Sequence, residues 1–331
     1  MSDHDLAIIP GSVVRRALEG QEDLVLAAVR DAYLAHGAGL TRTPSTKPLY
    51  SGGGRFFAMP ASIEDARPLV GVKWVASFVA NVSAGGERAS AMLAVNDAAT
   101  GRPVAIVDGT LISAKRTAAG AALALRCLAN GAPPRSMALV GCGPINYEVL
   151  RFVTHLFPLQ RVQLVDVQPA RVEAFAARVR DDFPTVAPAA ATLTEALQSA
   201  DVVSFATNAT TPYVNELPDR AVTILHVSLR DLSPRIIASA YNIVDDVEHV
   251  CSARTSVHLA SEETGRRDFI RGTIPELLAE SLRYEQPGGA TIVSPFGLAV
   301  LDLAVLREVL ARAADDPEVV RVPAFRGTVW Q

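Results

Sequence analysis

The chain has 331 residues with 31 basic and 35 acidic side chains, a net charge of −4, and no basic run interleaved with aromatics that would track a nucleic-acid backbone. Hydrophobic residues make up 49% of it but aromatics only 6%, so its core is built from Ala, Val, Leu and Ile, the usual filling between helices and a parallel sheet. The three cysteines, Cys127, Cys142 and Cys251, are odd in number and far apart, which argues against a disulfide framework or a metal site and for a reducing compartment. Two domains are expected from the length. The start Met1-Ser2-Asp3-His4-Asp5 lacks the features of a secretory signal. Every apolar stretch is broken before membrane-spanning length, so a cytoplasmic protein with no membrane partner is expected.

A short strand is predicted over 6–9, followed by an amphipathic helical region from Val13 to His36. The Thr-, Pro- and Gly-rich stretch from Thr41 to Gly54 reads as a loop, and β-rich runs follow at 70–79, 90–95 and 104–108. An Ala-rich helix is predicted from Thr110 to Leu128. The texture then changes to short strands alternating with helices, with strands at 137–140, 162–166, 202–206, 222–227 and 243–246. That alternation predicts an α/β fold with a Rossmann-type doubly wound parallel sheet, beside a second α+β domain. Residues 186–193 read as an Ala-rich loop and 298–314 as the last helix, after which the C-terminus is expected to return to the first domain.

The segment Met137-Ala138-Leu139-Val140-Gly141-Cys142-Gly143-Pro144-Ile145-Asn146 is a buried strand, a glycine turn and a helix start. Gly141 permits the tight turn, Gly143 lets a pyrophosphate approach the backbone, and the helix start at Pro144 and Ile145 presents free N–H groups. The third glycine of the dinucleotide fingerprint is replaced by Asn146. Asp166 ends the next strand, where a carboxylate accepts from the adenosine ribose hydroxyls and repels a 2′-phosphate. NAD is therefore the expected cofactor. Arg171 reads as a solvated helix residue.

The run Asp108-Gly109-Thr110-Leu111-Ile112-Ser113-Ala114-Lys115-Arg116-Thr117-Ala118-Ala119-Gly120 closely resembles the ornithine cyclodeaminase and mu-crystallin family. Met59-Pro60-Ala61, Gly71-Val72-Lys73, the glycine turn and Ser294-Pro295-Phe296-Gly297-Leu298-Ala299 extend the likeness in the same order. The resemblance implies a substrate and dimerisation domain from residues 1–116 and 302–331, a cofactor domain from 117–301, and a homodimer. It also implies hydride transfer at the Cα of a small amino-acid or imino-acid substrate.

Under that resemblance Arg116 holds the substrate carboxylate, Arg42 is a second carboxylate-binding arginine and Lys73 lines the substrate site. Lys47 lies in the same loop as Arg42. Ser90 matches a threonine near the nicotinamide, and Thr117, Thr207, Asn208, Val227, Ser228, Leu229 and Ser294 join the cofactor contacts. His226-Val227-Ser228-Leu229-Arg230-Asp231 departs from the turn and catalytic Asp of ornithine cyclodeaminases, with Ser233 standing where that Asp is expected. The segment instead resembles dehydrogenases of N-(2-amino-2-carboxyethyl)-L-glutamate, which release 2-oxoglutarate and L-2,3-diaminopropionate for siderophores or peptide antibiotics. Arg230 then offers a cation to a substrate with extra carboxylates. Asp231 is the first candidate for general base and Lys73 the second. His226 reads as structural, and His249 and His258 lack metal-ligand spacing, so no metal is expected. Alternative activities are ornithine cyclodeamination, ketimine reduction and alanine dehydrogenation. A non-catalytic dinucleotide-bound binding protein is the alternative outside enzymes.

Overall fold

A computed structural model describes residues 5–44, 48–83, 85–129, 131–285, 287–323 and 325; Lys47 lies outside them. Two compact units emerge, Met1–Arg116 with Leu298–Gln331, and Thr117–Gly297. The second junction falls four residues before the expected boundary. Among the described residues the strands are, in chain order, β1 (Leu6–Ile9), β2 (Thr41–Arg42), β3 (Leu49–Ser51), β4 (Gly54–Ile63), β5 (Leu69–Ser77), β6 (Ala89–Asn96), β7 (Pro103–Asp108), β8 (Ser136–Val140), β9 (Arg161–Val165), β10 (Ala187–Ala190), β11 (Val202–Phe205), β12 (Val222–His226), β13 (Tyr241–Val244), β14 (Ile270–Thr273), β15 (Ala290–Ser294) and β16 (Val320–Val322).

The first unit is one sheet in the order β16-β1-β7-β6-β5-β4-β2, with β3 also paired to β4. Its pairs are antiparallel except β1 with β7. The chain returns to this unit at Leu298, and β16 then pairs β1. The helix Ala299–Arg312 packs on β4 and β5 and against the helix Glu22–Gly37, because nine of its fourteen residues are buried, among them Val300, Leu301, Leu303 and Leu306.

Register decides what each face carries, since cross-strand partners share a face and successive residues alternate. Lys73 is paired with Met59 and Leu93, so it shares the helix-covered face with Leu93, Val95 and Val107. Trp74 is paired with Met92, and their face also carries Val72, Ile106 and Ile8. On that second face Ile8, Trp74, Met92 and Val320 remain exposed.

Several expectations change here. The helical region 13–36 is two helices, Gly11–Leu18 and Glu22–Gly37, interrupted where Gly20 takes a φ of +64°. The expected loop at 41–54 contains β2 and β3, and β4 went unread because Pro60 argues against a central strand. Among the described residues β2 pairs with Ser62 and Ile63 of β4 and β3 with its residues 54–56, while Pro60 itself pairs Val72 of β5.

The second unit is wholly parallel, in the order β10-β9-β8-β11-β12-β15-β13-β14. From β8 the chain winds outward through β9 and β10, then crosses to β11 and β12 on the other side. The strand order therefore reverses at β8 and β11, the place in such sheets where ligands bind beyond the strand ends. The Ala-rich stretch read as a loop forms β10, an edge strand, while β14, which contains Gly272, and β15, which follows Gly288-Gly289, went unread. Among the described residues no helix is long and apolar enough to cross a membrane.

Candidate active site

The dinucleotide turn stands at the switch point just described. Gly141 has a φ of +97°, and a Cβ there would run into the Ala206 carbonyl, so two independent constraints demand glycine. Gly143 caps the helix Pro144–Leu156, whose first turn holds no acidic residue and whose cap makes no side-chain hydrogen bond. The nearest atom to a Cβ built at Gly143 is Arg171 Nη2, at 3.7 Å. That open approach to uncapped N–H groups at the positive end of a helix fits a pyrophosphate.

Asp166 Oδ2 accepts from the Cys142 amide at 2.8 Å and Oδ1 from the Gln168 amide at 3.0 Å. The carboxylate is thereby fixed beside the turn, the position from which ribose hydroxyls are read. Arg171 is not the solvated helix residue expected: its Nη2 donates to the Cys142 carbonyl at 3.2 Å and its Nε lies 3.8 Å from Asp166. Burial, with Asp166 close by, pushes the Cys142 thiol up to about 12, so it remains protonated.

Asn146 explains the missing third glycine. Its amide donates to the carbonyls of Val140 and Gly141 at 3.0 and 2.8 Å, and its Oδ1 accepts from the Ser204 hydroxyl at 2.7 Å. A fully buried polar side chain thus ties the helix start to the ends of β8 and β11. A glycine would allow closer packing there; this sequence closes the same gap with hydrogen bonds.

In the first unit, β5 and the helices Thr110–Leu128 and Ala299–Arg312 bring three charges together. Lys73 Nζ lies 2.7 Å and Arg116 Nε 3.2 Å from Asp302 Oδ2. All three are buried, with 3%, 8% and 0% of Lys73, Arg116 and Asp302 exposed. Arg116 is therefore no surface helix arginine and Lys73 no strand-edge lysine. Ser113 Oγ accepts from Arg116 Nη2 at 3.4 Å and from Lys73 at 3.5 Å. Desolvation lowers the Lys73 ammonium to about 8, with Arg116 adding to the fall and Asp302 opposing it. Burial alone would raise the Asp302 carboxyl, but Arg116 and Lys73 outweigh it and hold it below its ordinary value. Lys115, next in the same motif, turns elsewhere, with Nζ 3.6 Å from Glu22.

Asp302 was not among the residues singled out from the sequence. The available signal was an Asp inside the run Ala299-Val300-Leu301-Asp302-Leu303-Ala304-Val305-Leu306, since a lone acid on a buried apolar helix requires a partner.

Asp231 is placed in a different setting from the one expected of a general base. It is fully buried, and its carboxylate accepts from Thr207 Oγ1 at 2.5 Å, from the Tyr213 phenol at 3.1 Å and from the Ser228 hydroxyl. His226 Nε2 accepts from the Asp231 amide at 3.1 Å. His226 Nε2 also lies 3.3 Å from Asp231 Oδ2, and its Nδ1 lies 3.4 Å from Ser294 Oγ. Burial would raise the Asp231 carboxyl, yet His226, Ser228 and Thr207 hold it below its ordinary value. A carboxylate that accepts from three hydroxyls and is held below its ordinary value is a weak proton acceptor.

The remaining residues divide similarly. Ser228 donates to the Phe205 carbonyl at 3.0 Å, and Leu229 is buried with a φ of +67°, so the 227–231 turn is locked to the end of β11. Asn208 is exposed just beyond that strand and Val227 half-buried beyond β12. Arg230 is half-buried and donates to the Ala253 carbonyl at 2.8 Å. Asp245 accepts from the amides of Phe296 and Gly297 at 2.8 and 2.6 Å. Ser294 is fully buried, its Oγ 3.4 Å from His226 Nδ1. Thr117 follows Arg116 on the same helix.

Arg42 and Ser90 stand apart from Lys73. Arg42 pairs Ser62, which pairs Val70, and Ser90 pairs Ala76. Both Val70 and Ala76 lie three residues from Lys73, so Arg42 and Ser90 occupy the opposite face of the sheet. Arg42 donates to the Gly39 and Thr41 carbonyls at 2.9 and 3.0 Å and lies 3.3 Å from Glu64.

The chain is 26% identical over 257 residues to an N-((2S)-2-amino-2-carboxyethyl)-L-glutamate dehydrogenase of Staphylococcus aureus, covering 76% of each chain. It is 26% identical over 315 residues to an alanine dehydrogenase of Archaeoglobus fulgidus, covering 92% of this chain and 94% of that one. Its fold matches a Thermococcus litoralis Δ1-pyrroline-2-carboxylate reductase solved with NADH and L-proline, with a TM-score of 0.86 at 22% identity over 96% of this chain and all of the other. The ornithine cyclodeaminase/mu-crystallin family model matches residues 16–256, and with the glycine turn and the buried Lys73 and Arg116 in place, the chain belongs to that family.

Proposed function

We propose that this protein is an NAD-dependent oxidoreductase acting on the C–N bond of an amino acid, with N-(2-amino-2-carboxyethyl)-L-glutamate as substrate. The observation that carries the reading is the buried Lys73–Asp302–Arg116 cluster, two cations sharing one carboxylate. Its net charge of one positive unit, shut away from water, suits a substrate carboxylate. The choice of substrate is supported by the Staphylococcus aureus relative and by Arg230 on the turn after β12, where like charge disfavours the terminal ammonium of ornithine.

NAD+, when bound, supplies the hydride acceptor. Arg116 holds the glutamyl α-carboxylate through its terminal N–H groups, its Nε being turned to Asp302. Lys73, in its neutral form, takes the proton of the secondary amine as hydride leaves Cα, which gives a C=N bond. It then relays a proton from the water that adds to that carbon. The C–N bond breaks with its electrons going to the departing amine. Substrate, NAD+ and water thereby give 2-oxoglutarate, L-2,3-diaminopropionate, NADH and a proton, for siderophore or peptide antibiotic synthesis.

A homodimer through the exposed face of the first sheet accompanies this reading. Ile8, Trp74, Met92 and Val320 form an apolar surface there that a second copy covers without disturbing Lys73 on the other face. A cytoplasmic setting accompanies this reading.

The test is a comparison of kcat/KM for N-(2-amino-2-carboxyethyl)-L-glutamate, L-alanine, L-proline and L-ornithine with NAD+. The first is expected to be oxidised best, and L-ornithine to give neither proline nor ammonia. Proline formation from ornithine at a comparable rate overturns the substrate assignment.

A further inference from the structure

Resting on the reading of Lys73 and Arg116 as substrate residues, we propose that Asp302 is the positioning residue of the site. Its carboxylate holds the Lys73 ammonium and the Arg116 guanidinium in place and governs how readily Lys73 gives up its proton.

The geometry is specific to Asp302. One oxygen, Oδ2, meets Lys73 at 2.7 Å and Arg116 at 3.2 Å, while Oδ1 is buried with no hydrogen-bond partner and Arg116 Nε has no aligned acceptor. A buried carboxylate serving only to hold the fold is expected to have both oxygens satisfied. Here half of it is uncommitted, beside a guanidinium that is itself imperfectly matched. The helix Ala299–Arg312 places it there rigidly, since Leu301 and Leu303 on either side are buried.

The charged groups that face Lys73 are few. Its neighbours on β4 and β6 are Met59 and Leu93, which do not titrate. The helix Thr110–Leu128 contributes Arg116 and the uncharged Ser113, and the helix Ala299–Arg312 contributes Asp302. Asp302 is therefore the one anion set against two cations and the low dielectric among these neighbours. Removing its charge leaves Lys73 facing only a like charge, so Lys73 loses its proton at lower pH. A substrate carboxylate arriving at Arg116 acts in the opposite sense and favours the ammonium. The balance between these two anions sets whether Lys73 is neutral when the amine must be deprotonated.

The sequence makes this directly measurable, because Lys47, Lys73 and Lys115 are its only lysines. Protein labelled with carbon-13 at lysine Cε gives three signals, assigned by replacing Lys47 and Lys115 with Arg. In the wild type one signal is expected to titrate near 8. In Asp302→Asn that midpoint is expected to fall by at least tenfold in proton affinity, with the acidic limb of kcat/KM moving the same way. Asp302→Glu restores the midpoint toward the wild type. An unmoved Lys73 midpoint in a folded Asp302→Asn protein overturns the proposal, folding being checked by undiminished NADH binding in the second unit. If Lys73→Ala retains turnover, the proposed function fails at that residue, while the NMR titration still decides the role of Asp302.

Discussion

The Thr207 hydroxyl donates to the Asp231 carboxylate at 2.5 Å, linking the loop after β11 to the turn after β12. With Tyr213 and Ser228 also donating, Asp231 organises that end of the second sheet. Asp231→Ala is expected to orphan these donors at about 1–3 kcal/mol each where they stay dry, read as a lowered urea midpoint. Asp231→Asn keeps the shape, loses less, and leaves the acidic limb of the pH–rate profile in place. Loss of turnover by Asp231→Asn at undiminished stability would restore Asp231 as the base.

Acid stability follows from the same carboxylates. Asp231 and Asp302 are both held below the ordinary 3.8, so near and below that pH the unfolded chain binds protons the folded one refuses. Their stabilisation is fully present above the unfolded value and is lost as pH falls through the folded values. Urea denaturation at a series of pH values is expected to show the wild type losing stability steeply below about pH 4, and the Asp231→Asn, Asp302→Asn double variant a shallower dependence. Parallel curves would contradict this.

Asp166 and Arg171 are expected to divide the choice of dinucleotide between them. Asp166 disfavours a 2′-phosphate, while Arg171, held by the Cys142 carbonyl, is a cation within reach of the same place. Asp166→Ala is expected to weaken NADH binding and strengthen NADPH binding, moving their ratio by about one to two orders of magnitude, equivalent to about 1.5–3 kcal/mol. Fluorescence titration with both dinucleotides measures it, and an unchanged ratio would remove Asp166 from the ribose site.

Trp74 and Met92 are directly paired on the outer face of the first sheet. Replacing both with Glu is expected to convert a dimer to a monomer in light scattering while leaving NADH binding intact. A wild-type monomer, or a dimer that survives the double change, would contradict the proposed interface.

Much of this was legible in sequence where a single local signal sufficed. The helix 110–128 and the strands around Gly141 were read nearly to the residue, because apolar periodicity and glycine chemistry are local. The strand β4 was hidden because Pro60 reads against a central strand, although it pairs Val72 of β5. Arg42 and Ser90 look like site residues by motif, yet sheet register puts them on the face away from Lys73. Asp231 looked like a base because sequence shows the acid and not the three hydroxyls around it. Asp302 is 229 positions from Lys73, and only the packing of the last helix on β5 brings them together.

The central claim is hydride removal from the glutamyl Cα, and a deuterium label at that carbon tests it most directly. N-(2-amino-2-carboxyethyl)-L-glutamate deuterated there, incubated with NAD+ and the enzyme, is analysed by mass spectrometry of the reduced dinucleotide and the keto acid. The account predicts NADH carrying the deuterium, in equal amount with 2-oxoglutarate that has lost it. NADH formed without deuterium, or 2-oxoglutarate released with no reduced dinucleotide, would contradict it.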